Sequence, residues 1–157
     1  MKKILSCLFT GILFMSCGSS SEDAPKAETL VFGTYFGMCQ GTCFVTYRLV
    51  SGVLQADRNE TYLFENYTFE PTETLPAEDY TRVAGLLTTI PAVLRNGDGG
   101  TLGCPDCADQ GGVYIDFTDA GGKRKVYYLD TNNTSDQNEA VVRFKNRILE
   151  AMDLLRP

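Results

Sequence analysis

The sequence predicts an α+β fold, a single antiparallel β-sheet of about six strands with two amphipathic helices packed on one face. Three observations predict it. β-branched and aromatic residues alternate at period two from Thr29 to Phe69 and again from Val113 to Leu129. Apolar residues recur at spacings of three and four in two later segments, around Val83 to Leu94 and Val141 to Leu155. The elements run strands, helix, hairpin, helix, an order that favours an antiparallel sheet with helices gathered on one side over alternating βαβ units.

The first strand begins at Thr29, with Leu30, Phe32 and Thr34 on one face and Val31 and Tyr35 on the other. The second, Phe44 to Val50, puts Val45, Tyr47 and Leu49 on one side. Ser51-Gly52 supplies a tight turn into Val53 to Asp57, and Glu60 to Phe69 continues the meander, with Tyr62 and Phe64 alternating against Leu63. The period then changes to that of a helix: Val83, Leu86, Leu87, Ile90 and Leu94 form its stripe, and Pro76, Glu78 and Asp79 suit its positive start. Pro91 ends or kinks it. Asn96 to Gly112 is glycine-rich and reads as a long loop. A hairpin follows, Val113 to Phe117 and Lys125 to Leu129, turning at Ala120-Gly121-Gly122. The last helix spans Asp136 to Leu155, with a Thr134/Gln137 capping-box pattern and a buried stripe of Val141, Phe144, Ile148, Met152 and Leu155. Glu139 and Arg143 pair on its exposed side. The seventeen aromatic residues, eight Tyr and nine Phe, are expected mostly in the core, where alternation puts them.

Ahead of this domain, Lys2 and Lys3 precede an uncharged run from Ile4 to Met15 that closes on Ser16-Cys17. The run is shorter than the roughly 20 apolar residues a membrane span requires, so it reads as a removed leader. Phe14-Met15-Ser16-Cys17 resembles the bacterial lipobox, which implies cleavage after residue 16 and acylation of Cys17, by chains such as palmitate. Two or three acyl chains hold a protein on a bilayer, where one does so only marginally. Residues 17–28, from Cys17 to Glu28, are rich in Ser, Glu, Asp, Ala and Pro, and read as a flexible tether. The expected organisation is therefore leader 1–16, tether 17–28 and one α+β domain 29–157.

Lys2 and Lys3 leave with the leader, so 14 basic residues fall to 12 against 20 acidic ones, a net charge of −8. That balance argues against nucleic acid as a partner, because phosphate binding needs clustered Lys and Arg. Lys123-Arg124-Lys125 sits at a turn and reads as solvated charge. The sequence has no histidine, which removes Ser-His-Asp and Cys-His catalysis and His-ligated metals. No phosphate-binding, dinucleotide-binding, nucleophile-elbow or EF-hand motif is present, and no cofactor is expected.

Cys39 and Cys43 lie in Cys-Gln-Gly-Thr-Cys ahead of the second strand, and Cys104 and Cys107 in Cys-Pro-Asp-Cys within the glycine-rich loop. Four cysteines pair in three ways, and an exported chain meets an oxidising compartment, so two disulfides are the favoured reading. Bonds between the two loops are favoured over local ones, since closing about 60 residues removes more unfolded-chain entropy, about 4 kcal/mol. The local pairs Cys39–Cys43 and Cys104–Cys107 remain the alternative. A four-thiolate zinc site on Cys39, Cys43, Cys104 and Cys107 is a third reading, and a redox CxxC a fourth, although Cys104-Pro-Asp-Cys107 leads into a strand where thioredoxin-like motifs start a helix. Asp98, Asp106 and Asp109 share the loop and read as turn-forming, soluble residues ahead of calcium ligands.

Cys39-Gln-Gly-Thr-Cys43-Phe-Val-Thr-Tyr47, together with Gly103-Cys-Pro-Asp-Cys-Ala-Asp-Gln-Gly-Gly112, resembles a group of small uncharacterised lipoproteins of Bacteroidota. The resemblance implies a lipid-anchored envelope protein, outer-membrane in location at its periplasmic face or the cell surface, and no activity. The expected function is a non-enzymatic binding or structural module. Its expected partners are the membrane, through lipid at Cys17, and another envelope component or an extracellular macromolecule. The rival expectation is a thiol- or zinc-dependent enzyme built on the same four cysteines.

Overall fold

Alternation along Thr29–Tyr35 (β1), Phe44–Val50 (β2) and Val53–Asp57 (β3) produces three of the strands at the expected positions. The computed structural model describes residues 27–37, 39–40, 43–59 and 67–156. The expected leader, Cys17 and the tether as far as residue 26 lie outside the described residues, as do residues 60–66 of the expected fourth strand. The rest of that strand, Tyr67 to Phe69, is not strand; Glu73–Thr74 (β4) takes the place beside β3 instead. Ser51 and Gly52 both have positive φ, 40° and 86°, which turns β2 into β3 in two residues and pairs Val50 with Val53.

The first helical stripe is formed in three pieces, Ala77–Val83 (α1), Gly85–Thr88 (α2) and Ala92–Asn96 (α3). Pro76 precedes the first and Pro91 the third; proline's missing N–H is harmless at a helix start and breaks the ladder further in. Val83, Leu86, Ile90 and Leu94 nevertheless remain on one buried line. These pieces carry the chain across the sheet to its other edge, where Gly100–Leu102 (β5) pairs in parallel with Arg124–Asp130 (β7). Gly112–Thr118 (β6) and β7 form the expected hairpin, with Gly122 at φ 83° in its turn, and Glu139–Leu155 (α4) closes the domain.

The result is one α+β sheet of seven strands, in the order β4-β3-β2-β1-β6-β7-β5. The expectation of about six strands, all antiparallel, is corrected on both points. β5 was hidden because three residues, two of them flanking glycine-rich turns, carry no alternation, and a parallel partner is only found once the helices have crossed the sheet. The expectation of two helices is corrected to one long helix and three short pieces on the same face.

That face holds the main core. Leu30 and Phe32 on β1 are fully buried and lie against Tyr47, Leu49, Ile115 and Leu129 of the neighbouring strands. Val141, Phe144, Ile148, Met152 and Leu155 of α4 cover them, as the helical period requires. Fully burying each such side chain stabilises the fold by about 1.5–3 kcal/mol. The Tyr47 hydroxyl donates to the Leu155 carbonyl at 2.9 Å and so holds down the last turn of α4. Asn138, not Thr134, caps α4: its side chain accepts from the Val141 N–H at 3.0 Å.

The opposite face is only partly covered. Val31, Phe44 and Tyr114 are buried there beneath Tyr67, with Tyr35, Phe69 and Tyr128 around them. Most of these rings meet edge to face, as in Phe44–Tyr67 at 4.7 Å and Tyr67–Tyr114 at 5.6 Å between centroids. Asp57 pins the crossing segment, accepting from the Tyr67 hydroxyl at 2.6 Å and the Glu70 N–H at 3.0 Å. Burial, then the nearby Asp57 carboxylate, pushes the Tyr67 hydroxyl well above the ordinary phenol range. Among the described residues no helix is long and apolar enough to cross a membrane.

Candidate functional site

The register brings the four described cysteines, Cys39, Cys43, Cys104 and Cys107, to one end of the sheet. Tyr35 pairs with Phe44 and with Gly112, and Gly112 with Asp130, so the loops after β1, β5 and β7 all leave from that edge. The first carries Cys39 and Cys43, the second Cys104 and Cys107.

Each pair is bonded within its own loop, Cys39 to Cys43 and Cys104 to Cys107. The favoured inter-loop connectivity is therefore corrected. The local partners lie at Cα separations of 5.7 and 5.5 Å, well inside the span a disulfide bridges, without any demand on distant chain. The four-thiolate zinc reading requires these sulfurs free and convergent; instead they lie in two separate bonds. Among the described residues no group of three or more His, Cys, Asp or Glu is placed to hold a metal ion.

A carboxylate joins the loops where sulfur was expected to. Asp106, inside Cys-Pro-Asp-Cys, accepts from the Gly37 N–H at 2.6 Å through Oδ2 and from the Gly111 N–H at 2.9 Å through Oδ1. Its own N–H donates to the Gly111 carbonyl at 3.0 Å. A Cβ at Gly37 would fall 2.0 Å from Asp106 Oδ2, so a side chain there would displace the carboxylate from this position. Gly111 has φ 72°, and a Cβ would meet the Tyr35 carbonyl at 2.3 Å.

Asp130, at the end of β7, anchors the second loop from below. It accepts from Cys104 N–H at 2.9 Å and Asn132 N–H at 2.8 Å. Burial works against its charge, yet the N–H groups of Asn132 and Cys104, the Gln110 amide and Lys145 outweigh it, leaving its carboxyl below the usual range. Asp136 is lowered too, by the Thr134 hydroxyl and then the Gly103 N–H. Beneath them Lys145 is wholly buried, its Nζ donating to the carbonyls of Asp130 at 2.8 Å and Asn132 at 2.7 Å and to Gln137 Oε1 at 2.6 Å. All three ammonium donors are used, though burial still lowers its pKa.

Asp130 and Lys145 were not singled out from sequence; Asp136 entered only as a helix start and Gln137 only as half of a capping-box pattern, not as partners in this cluster. Lys145 left a trace of its own, because it shares the apolar line of Val141, Ile148 and Met152 at helical spacing. Asp98 and Asp109, grouped with Asp106 in sequence, do not join it: Asp98 pairs with Lys123 at 3.1 Å, and Asp109 is exposed at φ 56°.

What this end offers chemically is a fixed surface. Phe36 is 41% exposed beside Gly111, and Gln40, Cys104, Cys107, Ala108 and Asp109 are exposed around it. Cys104-Pro-Asp-Cys107 closes a turn with no helix behind it, and carboxylates neighbour it, so nothing there favours a thiolate. No protein-family model, curated relative or solved structure matches the chain.

Proposed function

We propose that the protein is a lipid-anchored envelope module that binds a macromolecule through its disulfide-capped loops and performs no chemistry of its own. One observation carries this reading: the chain enters the sheet at Thr29, and the loops crown the far end of the same strand, beyond Tyr35. Seven residues at about 3.3 Å each separate the two by about 20 Å. A chain tethered through acylated Cys17 would thus present Phe36 and its neighbours away from the lipid. Further support comes from the local disulfides and the Asp106 clamp, which fix the loops before any partner arrives and so reduce the ordering cost of binding. The lipobox-like Phe14-Met15-Ser16-Cys17 and the likeness to small Bacteroidota lipoproteins support the location.

The test is cross-linking in intact cells, with photo-reactive side chains introduced at Gln40 and Ala108 and, as a comparison, at Val93 on the helical face. A discrete adduct from the loop positions, absent from position 93 and abolished by Phe36→Ala, is the expected result. Adducts distributed alike over all three positions refute the assignment of the loops. Metabolic labelling with a fatty acid tests the anchor separately, and a Cys17→Ser chain that still incorporates label refutes it.

A further inference from the structure

At the other end of the sheet, on its half-covered face, we infer a binding site for a small hydroxylated carboxylate, of the uronic-acid or sugar-acid class, seated on Arg48. The site is a cavity of ≈ 280 Å³ between β1, β2 and β6 and the segment around Thr68 and Phe69. That volume lies just under the range of drug-sized pockets, which suits one monosaccharide-sized molecule.

Two arginines line the cavity, and they differ in one respect. Arg124 is neutralised: its Nε lies 3.0 Å from each oxygen of Asp116, and its Nη2 2.8 Å from one of them. Arg48 has no carboxylate within ion-pairing distance among the described residues. Its Nε and Nη2 both donate to the neutral amide oxygen of Gln55, at 3.0 and 2.6 Å, and its guanidinium lies 4.6 Å above the centre of the Phe69 ring. The group is thus held in orientation by an acceptor and a ring while, among the described residues, no carboxylate pairs with it and no acceptor takes its Nη1. A guanidinium fork of this kind matches a carboxylate.

The remaining lining selects the body of the ligand. Thr29, Thr68 and Thr118 edge the cavity, and none of their hydroxyls bonds to a protein side chain or carbonyl among the described residues. They are available to a ligand bearing hydroxyls of its own, while Val31 and Phe69 offer an apolar wall to the C–H face of a sugar ring. One guanidinium with no carboxylate partner among the described residues, and no cluster of backbone N–H groups among those that line the cavity, fits a monoanionic carboxylate better than a phosphate. The whole chain is acidic, at −6, so diffuse attraction of anions does not account for such a site.

The experiment is an NMR titration of the detergent-solubilised full chain with D-glucuronate, compared with D-glucose and inorganic phosphate. Saturable shifts of the Thr29, Val31 and Thr118 amides with glucuronate, at least tenfold weaker with glucose or phosphate, support the site. Arg48→Gln should weaken glucuronate at least tenfold. Thr118→Val, which removes no side-chain hydrogen bond among the described residues, should weaken it several-fold and serves if the Arg48 variant does not fold. Absence of saturation, equal binding by neutral glucose, or indifference to both substitutions overturns the proposal and leaves a solvated sheet face. Phosphate binding as tight as glucuronate overturns the carboxylate class.

Discussion

Asp106→Asn isolates the clamp between the two loops. Asparagine tolerates the left-handed backbone that residue 106 adopts at φ 61°, so the substitution leaves the turn unstrained and changes only the acceptor. One amide oxygen can still receive an N–H, but the other position becomes an NH₂ donor facing a donor. Either Gly37 N–H, now bonded at 2.6 Å, or Gly111 N–H, at 2.9 Å, loses its partner. A hydrogen bond to a charged group contributes about 1.5–3 kcal/mol, and the surviving one weakens to a neutral bond of about 1 kcal/mol. A net loss of at least about 2 kcal/mol in holding the loops together follows, which corresponds to at least about 30-fold in an opening equilibrium. Native-state hydrogen exchange reads it at the two glycine amides, which should exchange at least about 30-fold faster while the amides of Leu30 and Ile115 in the sheet centre stay unchanged. Unchanged protection at both glycines would refute the clamp; equal acceleration at Leu30 and Ile115 would show that residue 106 supports the whole fold and not the loops.

Further outcomes follow from the same geometry. The two disulfides close rings of a few residues, so removing one, as in Cys104→Ser with Cys107→Ser, should cost about 2 kcal/mol, against about 4 kcal/mol for a bond between the loops; non-reducing peptide mapping that links Cys39 to Cys104 would refute the local pairing. Tyr47→Phe removes the bond to the Leu155 carbonyl and should cost about 1 kcal/mol, seen as a drop of about 4 °C in Tm with early fraying of α4. Phe32→Ala empties the centre of the core and should cost about 3–5 kcal/mol by denaturant unfolding. The folded chain holds Asp130 and Asp136 below the ordinary carboxyl value, so as pH falls the unfolded chain takes up protons first. Their stabilisation is complete above about pH 4 and is lost as pH falls from there toward the lowered folded values. Asp136→Asn should therefore flatten the acid limb of a Tm-against-pH curve, and an unaltered limb would refute the assignment.

The Arg48 cavity and the disulfide end lie at opposite ends of β1, and this arrangement shows how differently the two kinds of information are stored. Period-two alternation placed β1, β2, β3, β6 and β7 correctly because a half-buried strand must separate its apolar and polar residues, and that separation is written locally. The stripes of Val83 to Leu94 and Val141 to Leu155 were legible for the same reason, at the helical period. The break of the first stripe into three pieces was only partly so, since Pro91 announced one break and nothing as plain announced the other at Ala84.

Which elements meet is a different matter. The parallel pairing of β5 with β7, the meeting of Asp106 with Gly37 across 69 residues of chain, and the seating of Lys145 under the loop after β7 all depend on contacts between distant segments. No local period encodes them. The cysteine pairing shows the same division: the sequence by itself set four cysteines in two loops and favoured bonds between those loops, while the folded chain closes each pair within its own loop. Burial patterns are properties of single elements and survive in one dimension. Partners, registers between distant strands, and the carboxylates that hold loops together are settled only when packing fixes how the elements lie against one another.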